Sequence, residues 1–408
     1  MENVLLVCLV SDQTIPNIQL IKEFESKVTS YLFITTKGME QKGVRLWIEN
    51  TCNIKENIDL IEVNQFSFTD IEYKLKVFDF ESYEKIMVNL TGGTKVMTLV
   101  ASDFFKNLAA EMYYVTGNNN EYIKVHPIKK HNTFPFNSKI TISEYLTAYG
   151  FTYKPSSLSD ITLEQTKAIF DAFCKIDLNI YTEALKFINS KRKKRIEEVD
   201  FNKIKDFLSA INYIPEKENC LSKKETQYLS GDWFEEYIGL SIKNELGLRD
   251  DELFIGATIT NQKPTEGINS ITTLLGEETK LSDNDFNNEM DVMFVHNNTF
   301  YSIECKTSII AYKTIKKEDS VIDKPYSILG ETIYKSDSLK SRFGLYPKTS
   351  IVTLSDFTEY KHEQDKGKRN NKKIEMEELI NRANISRIKL IDKSMLSTSD
   401  TIFKLIRQ

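Results

Sequence analysis

Hydrophobic positions in the first 145 or so residues fall into short continuous runs separated by stretches with helical spacing. Val4 to Val10 is apolar without a break, the pattern of a strand covered on both faces. Ser11 to Pro16 read as a loop, and Pro16 opens a helical stretch carrying Ile18, Ile21, Phe24 and Val28. Tyr31-Leu32-Phe33-Ile34 predicts a second strand that exits at Thr35-Thr36-Lys37-Gly38. Lys85 to Leu90 predicts another, running through Thr91-Gly92-Gly93-Thr94-Lys95 into a helix over 96–110, and Met112 to Val115 predicts the next. Strands alternating with helices imply an α/β domain with a doubly wound, mostly parallel sheet over residues 1–145.

The pattern then changes. Ile169, Phe173, Ile176, Leu185 and Ile188 recur at helical spacing, so 146–224 reads as a mainly helical connector. The basic run Lys191 to Arg195 within it is most simply a solvated helix face. Residues 225–408 read as an α+β domain. A helix begins near Gly231, strand pairs are expected at 253–260 and 290–306, helical segments at 325–342 and 374–382, and a strand at Ile351 to Leu354. Lys366 to Lys373 reads as an exposed basic loop.

Composition narrows the chemistry. In 408 residues, 54 basic and 59 acidic side chains give a net charge of −5, so any nucleic-acid partner must be held by local basic patches. No apolar run approaches the roughly 20 residues of a membrane span, and the start lacks the basic n-region and cleavage site of a signal peptide. The five cysteines are far apart and form no C-x-x-C, which excludes a zinc ribbon and argues for a reducing cytoplasm. With four scattered histidines, a metal site is expected to be built from carboxylates.

Two groups of residues carry candidate chemistry. In an open parallel sheet, ligands bind beyond the carboxyl ends of the strands. There, Thr91-Gly92-Gly93-Thr94-Lys95 combines two glycines that allow close backbone approach, a helix N-terminus, two hydroxyls and a charge. Ser11, Asp12, Gln13, Thr14 and Asn17 add polar groups from the first loop, Thr35 and Thr36 from the second. The motif is neither a Walker A loop nor G-x-G-x-x-G, so a dinucleotide cofactor is unsupported, and a turn with no ligand is the plain alternative.

The second group lies in Glu289 to Lys306, read as two strands around an Asn297-Asn298 turn. Pairing His296 with Thr299 places Asp291 opposite Glu304, with Lys306 on the same face. Two opposed carboxylates repel, and a divalent cation between them removes the problem. Mg²⁺ or Mn²⁺, with Asp291, Glu304 and the Cys305 carbonyl as ligands, suits metal-assisted phosphodiester hydrolysis. Lys306 could then orient or help deprotonate a water, or steady the charge on phosphorus. A surface hairpin whose lysine bridges two exposed acids gives the same pattern. The preceding helix carries Glu235 and Glu236 beside Trp233 and Tyr237.

The loops S-D-Q-T-I-P-N and N-L-T-G-G-T-K resemble the ligand motifs of CARF domains, the CRISPR-associated Rossmann-like sensors, at Ser11, Gln13, Thr14, Pro16, Asn17 and Thr91 to Lys95. That resemblance implies a cyclic oligoadenylate, cyclic tetra-adenylate first, bound across a homodimer. Helix glutamate, strand aspartate and Glu-x-Lys resemble the PD-(D/E)xK nuclease superfamily, with Asp291, Glu304 and Lys306 in its core motif and Glu235 as the helix carboxylate, Glu236 remaining possible. Met290 replaces the usual proline. Together the halves resemble the homodimeric, single-CARF nucleases that accompany type III CRISPR systems. The resemblance implies activator-gated cleavage of single-stranded DNA, RNA or both, with Mn²⁺ or Mg²⁺. Lys313, Lys316, Lys317, Lys335, Lys340 and Arg342 are candidates to line its channel. The runner-up is a ligand-responsive nucleic-acid-binding regulator without catalysis, which would not need Asp291, Glu304 and Lys306. A sensor that degrades its own ligand is a third and weaker idea, since its loops offer no obvious general base.

Overall fold

The computed structural model describes residues 2–117, 120–156, 162–176, 180–192, 194–261, 287–317, 320–357 and 371–407. The chain begins with β1 (Val4–Leu9), α1 (Ile15–Phe24), β2 (Ser30–Thr35), α2 (Lys37–Lys42), α3 (Val44–Thr51) and β3 (Ile58–Glu62). It continues with α4 (Phe68–Val77), β4 (Lys85–Asn89), α5 (Lys95–Asn107), β5 (Glu111–Val115), β6 (Glu121–His126), β7 (Thr133–Pro135) and α6 (Ile142–Ala148). These strands form one sheet in the order β3-β2-β1-β4-β5-β6-β7. From β3 to β5 neighbours are parallel; β6 and β7 are added antiparallel.

All six residues of β1 are buried, which is why its run is apolar throughout. Strand order reverses at β1, which lies between β2 and β4, so the loops leaving β1 and β4 meet at the switch point where such sheets bind ligands. The edge strand β3 was not evident in the sequence. Only Ile61 of its five residues is buried, and an edge strand with one wet face needs little apolar content.

The second part comprises β8 (Phe151–Lys154), α7 (Leu163–Lys175), α8 (Thr182–Ser190), α9 (Glu198–Phe201), α10 (Lys205–Ala210), α11 (Lys223–Gln227), α12 (Trp233–Leu246) and β9 (Leu253–Asn261). Then come β10 (Asn287–His296), β11 (Thr299–Lys306), β12 (Ile310–Lys317), β13 (Ser320–Ser327), α13 (Leu329–Lys340) and β14 (Lys348–Thr353). The chain closes with α14 (Asn371–Ile385), β15 (Ile388–Ile391), α15 (Lys393–Thr398) and α16 (Ile402–Arg407). Six strands form a mixed sheet, β15-β14-β11-β10-β9-β8, while β12 and β13 pair as a separate ribbon. That ribbon holds extended structure to Ser327, so the helix expected from 325 begins at Leu329. Lys193 and 366–370 of the expected basic loop lie outside the described residues.

The stretch expected as a helical connector is built into this second unit. β8 pairs antiparallel with β9, Phe170 stacks on Tyr237 at 4.4 Å and Phe173 stacks on Trp233 at 4.8 Å. The two sheets also share a core. Leu6, Cys8, Phe24 and Tyr145 belong to the same buried cluster as Phe254, Met293, Phe300 and Phe343. Tyr145 stacks on Phe300 at 4.9 Å, and Phe300 on Phe343 at 4.7 Å.

The β10–β11 turn is a second joint. Asn297 and Asn298 have φ of 49° and 57°, the left-handed values a two-residue hairpin turn requires. Asn298 is buried, and its carboxamide accepts from Ile140 N–H at 2.8 Å and donates to Asn120 Oδ1 at 2.7 Å and the Ser138 carbonyl at 3.1 Å. Asn298→Gly keeps the turn geometry but strands the Ile140 N–H. We expect a loss of about 1–3 kcal/mol in chemical denaturation; unchanged stability would mean that this joint carries no load.

Candidate functional site

Hairpin register brings the predicted acids together. β10 and β11 pair His296 with Thr299, Val295 with Phe300 and onward to Val292 with Ile303, so the next step sets Asp291 across from Glu304. Both are buried, at 7% exposure each. Lys306 closes the group. Its Nζ donates to Glu304 Oε1 at 2.7 Å, to the Cys305 carbonyl at 3.1 Å and to Asp291 Oδ2 at 3.2 Å. Asp291 Oδ2 also accepts from Cys305 N–H at 2.7 Å. Lys335 on α13 reaches the same Glu304 Oε1 at 3.2 Å.

The electrostatics follow from burial and crowding. Burial, then the Glu304 charge, pushes the Asp291 carboxyl up to about 6. Burial works against the Lys306 ammonium, but Asp291 and Glu304 outweigh it and hold it well above the ordinary lysine range. In this arrangement Lys306 is a fixed positive charge and not a base.

Glu235 joins from α12, which starts after a kink at Gly231. Burial first, then Asp291 and Asp232, pushes its carboxyl up to about 9. Its route to the site runs past Gly256. Met290 pairs with Ala257 and Val292 with Ile255, which sets Gly256 across from Asp291. Gly256 has φ +62°, and a Cβ there would stand 4.0 Å from Glu235 Oε2 and 3.2 Å from Ser156 Oγ. A Cβ would meet Glu235 only at ordinary contact distance, so the positive φ is what favours glycine here, and a lone glycine inside β9 was the available signal for it. Glu236 is the more buried of the helix pair, but Glu235 is the one whose carboxyl feels Asp291 and Lys306.

Among the described residues no group of three His, Cys, Asp or Glu side chains is placed to hold a metal ion. The donor set expected from the sequence is two carboxylates and a backbone carbonyl. In the structure all three accept from one ammonium, that of Lys306. Oxygen-only donors of this kind suit Mg²⁺ or Mn²⁺, provided Lys306 yields its place.

The sensor-side residues meet where β1 and β4 end. A Cβ at Gly92 would lie 1.9 Å from the Leu9 carbonyl, so only glycine lets these loops touch. Asn17, buried beneath, donates to the Leu9 carbonyl at 2.9 Å and accepts from Asn89 Nδ2 at 2.7 Å. Several predicted ligand residues build the cradle itself. Pro16 lies in the first turn of α1, Thr14 Oγ1 donates to the Ala148 carbonyl at 2.7 Å, and Thr91 Oγ1 accepts from Val115 N–H at 2.8 Å. Thr36 caps α2, and Thr94 caps α5 while donating to the Gln65 carbonyl at 3.0 Å. Gly93 takes φ +72°, and Ser11 Oγ accepts from Gln13 N–H at 3.3 Å. Lys95 is exposed at the start of α5, while the buried Thr35 hydroxyl finds no partner among the described residues.

This rim touches the second part directly. Gln13 Oε1 accepts from Leu345 N–H at 3.0 Å, and Tyr145 OH donates to the Phe343 carbonyl at 2.7 Å. Gly344 has φ +91°, and a Cβ there would fall 2.1 Å from Tyr149 Oη. Residues 343–345 lie just beyond α13, the helix that carries Lys335.

With this geometry in place, comparison with known proteins is informative. Residues 5–145 match the Card1 CARF domain family. No match is found among curated proteins. The whole chain is similar in fold to protein VC1899 from Vibrio cholerae, with TM-score 0.66 and 16% identity over 96% of this chain and 95% of that one. It is likewise similar to Can2 from Sulfobacillus thermosulfidooxidans, solved in complex with cyclic tetra-adenylate, with TM-score 0.68 and 18% identity over 99% of each chain. The first part is thus a Rossmann-like sheet of the CARF type, followed by a mixed α/β unit. Among the described residues no helix is long and apolar enough to cross a membrane.

A carboxyl held at about 9 in the folded chain, against about 4.3 unfolded, favours the protonated folded state. Its contribution is full below the unfolded value and is lost as pH rises towards 9. Glu235→Gln removes that loss. We expect it to raise the thermal midpoint in chelator at pH 8 more than at pH 5, read by differential scanning fluorimetry; an equal shift at both would place Glu235 outside the cluster.

Proposed function

We propose that this chain is a cyclic-oligoadenylate-activated, metal-dependent endonuclease of type III CRISPR antiviral defence. It would cut single-stranded DNA, RNA or both, as a cytoplasmic homodimer. The observation that carries the reading is the convergence of Asp291 Oδ2, Glu304 Oε1 and the Cys305 carbonyl on one cation. Asp291, Glu304 and the Cys305 carbonyl would hold Mn²⁺ or Mg²⁺, which supplies Lewis-acid activation of a phosphodiester and of water. Lys306, displaced from between the acids, would stay beside them and steady the negative charge that builds on phosphorus. Glu235 holds a proton on its carboxyl until the local positive charge rises.

Residues 1–145 would be the sensor. The match to the Card1 CARF domain supports a cyclic oligoadenylate, and the likeness to a protein solved with cyclic tetra-adenylate makes that ring the first to try. Ser11, Gln13, Lys95 and the Gly92-Gly93 backbone are the groups best placed to meet it. Exposed Phe66, Phe68 and Leu99 near the rim offer an apolar face for a second copy. Residues 225–408 would form the nuclease, with 146–224 built into it. Gating follows the contacts of Gln13 with Leu345 and of Tyr145 with Phe343. A ligand that draws Gln13 away from Leu345 favours a different setting of α13, and it can do so only by binding that setting more tightly.

Wild-type protein with Mn²⁺ and cyclic tetra-adenylate should cut single-stranded oligonucleotides, and chelator should stop it. Glu304→Gln should remove cleavage and leave activator binding intact; a variant that still cuts at the wild-type rate would reject the assignment. Lys95→Ala should move the activation curve to about tenfold higher activator, the cost of one charge-assisted phosphate contact. An unmoved curve would take this loop out of the sensor site.

A further inference from the structure

Beside the acidic cluster lies a cleft of about 370 Å³ lined by Asn288, Lys335, Ser338, Leu339, Ser341 and Arg342. One of its walls is Lys335, whose Nζ is 3.2 Å from Glu304 Oε1, so that end of the cleft adjoins the candidate catalytic carboxylates. We propose that this cleft is a phosphate subsite that holds the substrate backbone beside the scissile bond, with Lys335 and Arg342 as its positioning residues. The proposal rests on the nuclease reading and adds to it where, and by which side chains, the strand is held.

The lining carries the argument. Lys335, Ser338 and Arg342 recur at spacings of three and four along α13 and the short turn after it, so they present one face. Lys335 and Arg342 are cations, Ser338 and Asn288 add a hydroxyl and a carboxamide, Ser341 Oγ donates to the Ser338 carbonyl at 2.7 Å, Leu339 is the apolar member, and the described lining has no carboxylate. Such a surface recognises a chain of phosphates. From Lys335 to Arg342 the helix advances about 10 Å, enough for more than one phosphate. The described lining has no aromatic ring on which a base could stack, and the contacts it offers are to backbone. Four lysines proposed from the sequence for a channel stand differently. Lys340 Nζ donates to the Ser386 carbonyl and is absent from the lining, while the Lys313, Lys316 and Lys317 side chains lie outside the described residues.

The test uses full-length Glu304→Gln protein with cyclic tetra-adenylate, which leaves the strand uncut. Binding of a fluorescent single-stranded oligonucleotide is followed by anisotropy over a salt series. Each lost phosphate contact lowers the slope of log affinity against log salt by about 0.7. Adding Lys335→Gln or Arg342→Gln should lower it by that amount, and both together by about 1.4, whereas Lys389→Gln, an exposed charge elsewhere in the domain, should leave it alone. Both variants remove exposed side chains, and retained thermal midpoints confirm folding. A parent that binds while the double variant keeps its slope would overturn the subsite alone. A parent that binds no oligonucleotide would overturn the subsite and the nuclease reading together.

Discussion

The structure depends on one ammonium ion held by three oxygens. Asp291 and Glu304 face each other from adjacent strands with little solvent, and without a cation between them one would have to take up a proton. Lys306 supplies that cation from two residues away on the same strand. Removing one partner from such a buried group costs about 3–5 kcal/mol, because the charge left behind has no water to turn to. On the proposed reading, a divalent ion held by the same oxygens would take the place of this ammonium.

The hairpin that builds this site is anchored at its other end in the first domain. Asn298 at its tip is held by residues around the β6–β7 region, while Phe300 and Phe343 stack into the core shared with Tyr145. The candidate ligand rim reaches the far side of the same unit through Gln13 and Leu345. Close-packed contacts of this sort transmit a shift because they have few intermediate settings. Gating by a small ligand needs this kind of connection between the sheet edge and α13.

Much of this was legible in the chain. A two-residue Asn-Asn turn fixes the hairpin register, and register alone sets Asp291 across from Glu304. The apolar run of β1 and the Thr-Gly-Gly-Thr-Lys loop marked the sheet and its switch point. What escaped was long-range. Gln13 meets a backbone amide 332 positions away, which no local pattern encodes. Gly256, which the pattern of β9 did not single out, takes a positive φ across from Asp291 and beside Glu235. Residues 146–224 show helical spacing over α7 and α8, but the strand β8 was not read there, and spacing does not say which core a helix joins. Thr14, Asn17 and Thr91 were read as ligand groups; in the structure their side chains also hold the loops together.

The measurement that bears most directly on the account is anomalous scattering from a crystal soaked in Mn²⁺. The account predicts a single manganese peak within about 2.0–2.2 Å of carboxylate oxygens from both Asp291 and Glu304, with the Lys306 amine moved out of its place between the two acids. Full manganese occupancy elsewhere, with Lys306 still bonded to both acids, would contradict it.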